Sequence, residues 1–175
     1  MIECLSTLEI RMNIFFLHMD TSRAAKAQCD KHVVKMVLET TQMLSTAIRR
    51  RGYDVGYKSA YPNHPMTIWV GDTRDNFYWA LCHAEELSKE YTVRYSKFHA
   101  CQKIIDAIRE FYPSLILNFS SFDNITDPPQ CMPDEFKDDD FVRAYRNYYV
   151  HKIGQWKHQP KWFKSLDADP YYANV

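Results

Sequence analysis

Apolar residues recur at helical spacing along most of the chain, most clearly between Cys29 and Arg51. No Gly or Pro interrupts this stretch before Gly52, and Asp30 is a suitable N-cap residue. One side of the predicted helix carries a core face of Val33, Val34, Val37, Thr41, Leu44 and Ile48. The other side carries a first polar stripe of His32, Lys35, Glu39, Gln42, Thr46 and Arg49.

A second long helix is predicted from a Thr73 cap to about Ser96, and it repeats this two-sided pattern. Its core face holds Phe77, Leu81, Ala84, Thr92 and Tyr95. Its second polar stripe holds Asn76, Trp79, His83, Glu86, Glu90 and Arg94. Each stripe is about 100° wide, which fits either a solvated helix face or the wall of a polar cleft.

Shorter helices are predicted at residues 21–28, 66–70 and 98–111, and a last long helix is predicted from an N-terminus at Asp138–Asp140 to about Ile153, so the expected fold class is all-α. Pro113 should end the third of these helices, because proline lacks an amide hydrogen. Residues 13–17 form an apolar run that fits a short strand or a buried N-terminal segment. We expect one helical domain over residues 12–175, with residues 1–11 as an extension that precedes the more regular sequence from Met12.

Composition narrows the classes of function. Lys and Arg together number 22, as do Asp and Glu, so the net charge is zero. Nucleic-acid binding usually leaves a basic excess, although a local basic patch is compatible with this total. Only four glycines are present, which argues against a glycine-rich phosphate loop.

Targeting and redox signals are consistent with an intracellular protein. No apolar run reaches the roughly 18 residues that would span a membrane. The five cysteines are scattered, which predicts reduced thiols and neither a disulfide framework nor a zinc motif. We expect no metal and no cofactor.

Chemistry is predicted where the two polar stripes meet. If the two long helices pack antiparallel along an edge of each stripe, the first stripe approaches the second. Carboxylates and imidazoles that are partly buried near lysine exchange protons near neutral pH. The candidate catalytic residues are therefore Glu39, Lys35, His32, His83 and Glu86. The alternative is a structural network of salt bridges, and a metal site is a weaker interpretation because no di-metal motif is present.

A further set of residues is predicted to bind substrate around this cleft: Gln42, His64, Asn76, Trp79, Arg94, Arg146, Tyr148 and Trp162. The proline-flanked His64 turn, the loop over residues 113–137 and the aromatic-basic tail are expected to close over it. Tyr and Trp faces stack on bases, whereas Arg and Lys hold phosphates. The alternative for the tail aromatics is that they pin the C-terminus to the core.

Six segments in order resemble a largely uncharacterised family of small proteins found mainly in bacteriophages and large DNA viruses. The segments are CDKHVVKMVLETTQMLSTA, NHPMTIWV, YTVRYSKFH, QCMPDEFK, AYRNYYVHK and PKWF. Members of that family are sometimes labelled similar to pyrimidine-dimer DNA glycosylase, the phage endonuclease V type. The resemblance extends over nearly the whole chain from Met12. If the protein is viral, as the resemblance implies, its expected location is the host cytoplasm or nucleus.

The resemblance implies a compact all-α enzyme that flips a base and attacks the sugar with its N-terminal amine. It also implies an assisting glutamate, which Glu39 matches, and an aromatic-basic C-terminal segment near the lesion. The N-terminal nucleophile does not match, because neither Met1-Ile2 nor Met12-Asn13 favours removal of methionine. Lys35 is therefore the candidate amine.

We accordingly expect a DNA-directed base-excision enzyme, a glycosylase with possible lyase action on a damaged or modified base. Two alternatives stay open. An enzyme that acts on a free nucleotide or nucleoside fits the neutral charge better. A non-catalytic viral protein would instead sequester a nucleotide or a host factor in the same cleft.

Overall fold

The computed structural model describes residues 12–116, 119 and 124–162, and these residues form an all-α bundle. Its helices are α1 (Thr21–Ala27), α2 (Asp30–Arg50), α3 (Pro65–Asp72), α4 (Arg74–Tyr95), α5 (Gln102–Ile116) and α6 (Phe141–Gly154), with a 3₁₀ turn at Asp134–Phe136. None of the described residues lies in a strand, so the predicted fold class is confirmed. The predicted extension over residues 1–11 lies outside the described residues, and the single domain over 12–175 stays a prediction.

Helix α2 lies at the centre of the bundle and packs against α3, α4 and α5. Val37 and Leu44 of its predicted core face are buried, as expected from their spacing, whereas Val34 was predicted wrongly and is 37% exposed. Residues with hydroxyl groups are also buried along α2, because each hydroxyl donates a hydrogen bond to a carbonyl one turn earlier in the helix. Thr41 Oγ1 donates to the carbonyl of Val37, and Ser45 Oγ donates to the carbonyl of Thr41, both at 2.7 Å.

Residues 12–17 form a buried segment without strand pairing, so the second of the two predicted alternatives is the observed one. Two aromatic rings in this segment join three helices. Phe16 stacks on Trp79 of α4 with ring centres 4.1 Å apart. Phe15 meets Tyr149 of α6 edge-on at 4.9 Å. The N-terminal segment therefore fills the space between α2, α4 and α6.

The N-terminus of α2 differs from the sequence prediction, because Cys29 is the N-cap and Asp30 is the first helical residue. No side chain of the cap supplies the usual hydrogen bond. Other parts of the chain satisfy these amides instead. The amide of Asp30 donates to the carbonyl of Lys161 at 2.8 Å, and the amide of Cys29 donates to the hydroxyl of Tyr149 at 3.0 Å. The tail therefore takes part in fixing the start of α2.

Other helix boundaries were predicted wrongly as well, and α5 begins at Gln102 rather than near residue 98. Helix α5 continues through Pro113 to Ile116. Its last turn buries Leu115, and Tyr112 stacks on Phe77 at 6.0 Å, so tertiary packing outweighs the hydrogen bond that proline cannot make. Helix α3 extends beyond the single predicted turn and ends at Asp72.

Candidate active site

Glu39 is a buried carboxylate held between two nitrogen atoms. Its Oε2 accepts a hydrogen bond from the main-chain nitrogen of Asn13 at 3.1 Å. Its Oε1 lies 3.0 Å from Nζ of Lys35, one helical turn earlier. Glu39 is 6% exposed, whereas the side chain of Lys35 is 56% exposed. The pair therefore connects the interior of the bundle with the surface of α2.

Burial raises the pKa of Glu39 above its usual range, even though the hydrogen bond and charge of Lys35 and the amide of Asn13 act to lower it. The effect of burial is the larger because most of the carboxyl group is removed from water. A carboxyl group with a raised pKa accepts and returns a proton more readily near neutral pH. This property suits Glu39 for acid-base chemistry.

His32 lies two turns before Glu39 and is enclosed by aromatic rings. Phe15 stacks on its imidazole at 5.3 Å, and Trp156 meets it edge-on at 4.8 Å. Its Nδ1 lies 2.9 Å from the hydroxyl oxygen of Tyr149. Burial, followed by the charges of nearby lysines, lowers the pKa of His32 to about 3. His32 is therefore neutral at physiological pH and offers hydrogen bonds rather than charge.

A cleft of about 1030 Å³ opens beside these residues, between the start of α2 and the end of α6 with its tail. We call it the lysine cleft, because its lining includes Lys31, Lys35, Lys152, Lys157 and Lys161. Asp30 is the one acidic residue in the lining, so the local charge is strongly positive. Trp156 contributes an aromatic wall, with Nζ of Lys31 4.6 Å from its ring centre. The neutral composition of the chain therefore hides a local basic patch.

The second polar stripe does not join this group, and the predicted cluster of five catalytic residues is divided. His83 is fully buried, and its ring nitrogens lie 3.4 Å from the Gln28 side chain and 3.4 Å from the carbonyl of Thr21. Glu86 forms an ion pair with Lys89 at 2.6 Å on α4 itself. The polar partners of His83 are in and beside α1, because α1 packs against α4 and covers that side of the helix.

Two residues predicted to bind substrate hold the fold together instead. The side chain of Arg94 is fully buried and donates to Asp30 at 3.2 Å and to Glu90 at 3.0 Å, as well as to two carbonyls near the α1–α2 junction. Asn76 is also fully buried and exchanges two hydrogen bonds of 2.9 Å with Thr126. Their polar character is satisfied inside the protein, so neither faces a ligand.

Several other predicted binding residues also have internal roles. His64 is the N-cap of α3, where its Nδ1 accepts a hydrogen bond from the amide of Met66 at 3.2 Å. Trp79, Arg146 and Trp162 each donate a side-chain N–H to a main-chain carbonyl, at 2.7, 2.7 and 3.0 Å. For Trp162 this contact favours the alternative that the tail aromatics pin the C-terminus.

Tyr148 and Gln42 differ in their accessibility, because Tyr148 is only 9% exposed. The ring of Tyr148 lies 5.6 Å from Nζ of Lys152, which lines the cleft. Gln42 is partly exposed and lies two turns after Lys35 on the same side of α2. Of the three segments predicted to close over the site, the tail contributes residues 155–161 to the cleft lining.

Sequence reasoning missed Asn13, Lys31, Lys152 and Trp156. The alternation of basic and aromatic residues in the tail was the signal for Trp156, but it gave no indication that the tail would meet the start of α2.

Across residues 12–116, 119 and 124–162, no three His, Cys, Asp or Glu side chains gather as metal ligands would. In the same part of the chain, no helix is both long and apolar enough to cross a membrane.

The chain is similar to a known family over the part that contains Asn13, His32, Lys35 and Glu39. The family model described as Pyrimidine dimer DNA glycosylase matches residues 12–103. No curated protein and no solved structure shows significant similarity to the chain. Because this match covers more than half of the 175 residues, the chain belongs to the pyrimidine dimer DNA glycosylase family.

Proposed function

We propose that this protein is a DNA N-glycosylase that excises a damaged or modified base, with Glu39 as its central carboxylate. The observation that carries the proposal is the position of Glu39 between the Asn13 nitrogen and Lys35, beside the lysine cleft. Breaking an N-glycosidic bond develops positive charge on the sugar, as in other glycoside hydrolyses. A carboxylate fixed in a partly dry site stabilises that charge more than one in water.

The lysine cleft would hold the DNA backbone next to Glu39. Five lysines against one carboxylate concentrate positive charge on one side of a neutral protein. Such a local field attracts phosphates even when the net charge is zero. Trp156 adds a partly exposed aromatic surface beside Lys31, which suits stacking on an exposed base.

Lys35 is the proposed amine of a lyase step, because its Nζ lies 3.0 Å from the Glu39 carboxylate. In this step Lys35 gives a proton to Glu39, and its neutral amine attacks the sugar C1′. The bond from C1′ to the base breaks, and Glu39 returns its proton to the departing base. The amine attached to C1′ then passes a proton to the ring oxygen as the bond between that oxygen and C1′ breaks. This opens the sugar and gives a protonated imine, from which β-elimination cleaves the strand.

The nitrogen of Asn13 is a second candidate for this amine, since it lies 3.1 Å from Oε2 of Glu39. In the present chain it is a peptide nitrogen, whose lone pair is delocalised into the carbonyl. It becomes a nucleophile only in a chain that begins at residue 13. That arrangement would match the N-terminal amine implied by the resemblance to the endonuclease V type.

The test is incubation with duplex DNA that carries one pyrimidine dimer, and with panels of other damaged bases and free nucleotides. Mass spectrometry detects released bases, and borohydride traps a covalent imine that peptide mapping then locates. We expect base release and an adduct on Lys35. Lys35→Arg keeps the positive charge beside Glu39 but should give no adduct at this position.

A matched protein that begins at Asn13, released from a cleavable fusion, separates the two amines. An adduct on its α-amine, with no adduct on Lys35 in either protein, would assign the nucleophile to Asn13. Base release without any adduct would indicate a glycosylase that uses water. Turnover of free nucleotides with no action on DNA would support the free-nucleotide alternative, and binding without turnover would support a sequestering protein.

A further inference from the structure

Phe98 is 78% exposed, more than any other large apolar side chain in the part of the chain that the structure describes. It follows α4 in the short turn before α5. The apolar ring is in contact with water. A partner that covers it would remove this surface from water, which makes binding more favourable. The surroundings of Phe98 identify the kind of partner.

The turn that carries Phe98 is held firmly in place. Ser96 adopts a left-handed conformation with φ of 54°, and its amide donates to the carbonyl of Thr92 at 2.8 Å. The ring of His99 accepts a hydrogen bond from the amide of Cys101 at 3.1 Å and meets Tyr91 edge-on at 4.8 Å. Phe98 is therefore an exposed residue in a turn whose main chain is held by hydrogen bonds.

The same turn follows the end of α4 where α4 meets α2, at the edge of the lysine cleft. Tyr95, three residues before Phe98, lines the cleft together with Val34 of α2, and its hydroxyl donates a hydrogen bond to the carbonyl of Asp30 at 3.0 Å. At 100° per residue, Val34 and Glu39 lie roughly 140° apart around α2. Val34 and Glu39 therefore mark the two edges of the exposed face of this helix, which is ~10–12 Å across with its side chains.

This spacing corresponds to about three base-pair steps of ~3.4 Å in duplex DNA. The exposed face between them carries Lys35 together with Leu38, which is 39% exposed. The lysines of the cleft provide charge complementary to a phosphate backbone on the same side. Duplex DNA laid across this face would meet the phenyl ring a few steps from the carboxylate.

We propose that Phe98 is a positioning residue that inserts between base pairs of bound duplex DNA and unstacks them beside the base on which Glu39 acts. This inference rests on the proposed glycosylase function. An enzyme that acts on a base must first take it out of the stack, at a cost in stacking free energy. An inserted apolar ring kinks the duplex and replaces part of the lost stacking.

The experiment uses full-length protein and a duplex that carries a pyrimidine dimer with 2-aminopurine at a neighbouring position. Wild type should raise the 2-aminopurine fluorescence and excise the lesion. Phe98→Ala should weaken both signals by about tenfold on the duplex, while excision from the same single strand stays within about twofold. Phe98→Trp should restore the duplex signals. Tyr61→Ala is the matched control, because Tyr61 is also exposed, at 48%, but lies on a different turn.

The outcomes separate this proposal from the proposed function. Equal fluorescence and excision for Phe98→Ala and wild type on the duplex would overturn the wedge and leave the glycosylase intact. A Phe98-dependent rise in fluorescence without excision would support the wedge and overturn the glycosylase. The absence of both signals for wild type would overturn both. A change in sedimentation of the protein alone on Phe98→Ala would assign the ring to contact with a second copy and overturn the wedge.

Discussion

The main-chain nitrogen of Asn13 donates a hydrogen bond to Oε2 of Glu39 across 26 positions of sequence. This bond is buried, since Asn13 is 4% exposed and the next residues place Phe15 and Phe16 in the core. It fixes one oxygen of Glu39, while Lys35 contacts the other from the surface side. The carboxylate is therefore held in a defined orientation, in contact with Lys35, which lines the lysine cleft.

Glu39→Gln should lower the excision rate at least about a hundredfold, because the amide cannot stabilise a cationic sugar or exchange a proton. Its free energy of unfolding should change by less than about 1 kcal/mol. The amide oxygen can still accept from Asn13, and a neutral side chain avoids the burial of charge that raises the pKa of Glu39. Excision kinetics and thermal melting measure the two effects.

Glu86→Gln is the matched control for this prediction, because Glu86 is also a helix carboxylate with a lysine partner but has its contact on α4. It should keep full excision activity. If Glu39→Gln instead melts at a much lower temperature and retains full specific activity, Glu39 is a structural ion-pair partner.

The lysine cleft should determine how DNA affinity depends on salt. Replacing both Lys31 and Lys157 by alanine removes two of the charges that line it. Each lost phosphate contact should reduce the slope of log affinity against log salt by about 0.9. Fluorescence anisotropy with labelled duplex over a range of salt concentrations measures the slope. Lys89→Ala, which removes an exposed charge on α4, should leave the slope unchanged, and an equal effect of both variants would place DNA elsewhere.

The protein should lose stability as the pH falls from about 6.5 toward 4. Burial lowers the pKa of His83 to about 4 and that of His32 to about 3. Below pH 6.5 the unfolded chain therefore binds more protons at these two positions than the folded protein does, so acid favours unfolding. Each pKa unit of difference corresponds to about 1.4 kcal/mol, so the combined loss should be several kcal/mol.

His83→Gln tests this assignment, because glutamine keeps a polar side chain next to Gln28 but has no proton to take up. Urea unfolding at several pH values should show a smaller decrease in stability toward pH 4 than in wild type. An unchanged pH dependence in the variant would attribute the acid sensitivity to other groups.

Thiol reactivity should be uneven in the folded protein. Cys29, Cys82, Cys101 and Cys131 are all free thiols, whereas Cys4 lies outside the described residues. Burial raises the pKa of Cys29, Cys101 and Cys131, which disfavours the reactive thiolate, while Cys82 is partly exposed. Alkylation of native protein followed by peptide mapping should label Cys82 before those three. A disulfide in the denatured, non-reduced protein would contradict the prediction of reduced thiols.

Helical periodicity was sufficient to predict the all-α fold and the positions of the two long helices. The four-residue spacing of Lys35 and Glu39 was also enough to place their side chains together, because residues one turn apart share a helix face. Both predictions depend only on local geometry. Local geometry is encoded directly in the order of residues along the chain.

The tertiary structure decided what covers each polar stripe. In α4, most of the polar stripe is buried, and α1 packs against this helix and supplies carbonyl groups to His83 and Arg94. In α2, one edge of the stripe is buried against Asn13, Phe15 and the tail, and the other edge stays open as part of the lysine cleft. Polar residues of similar spacing thus became interior hydrogen-bonding groups in one helix and a candidate active site in the other. The difference arises from contacts between residues far apart in sequence, which a helical pattern cannot specify.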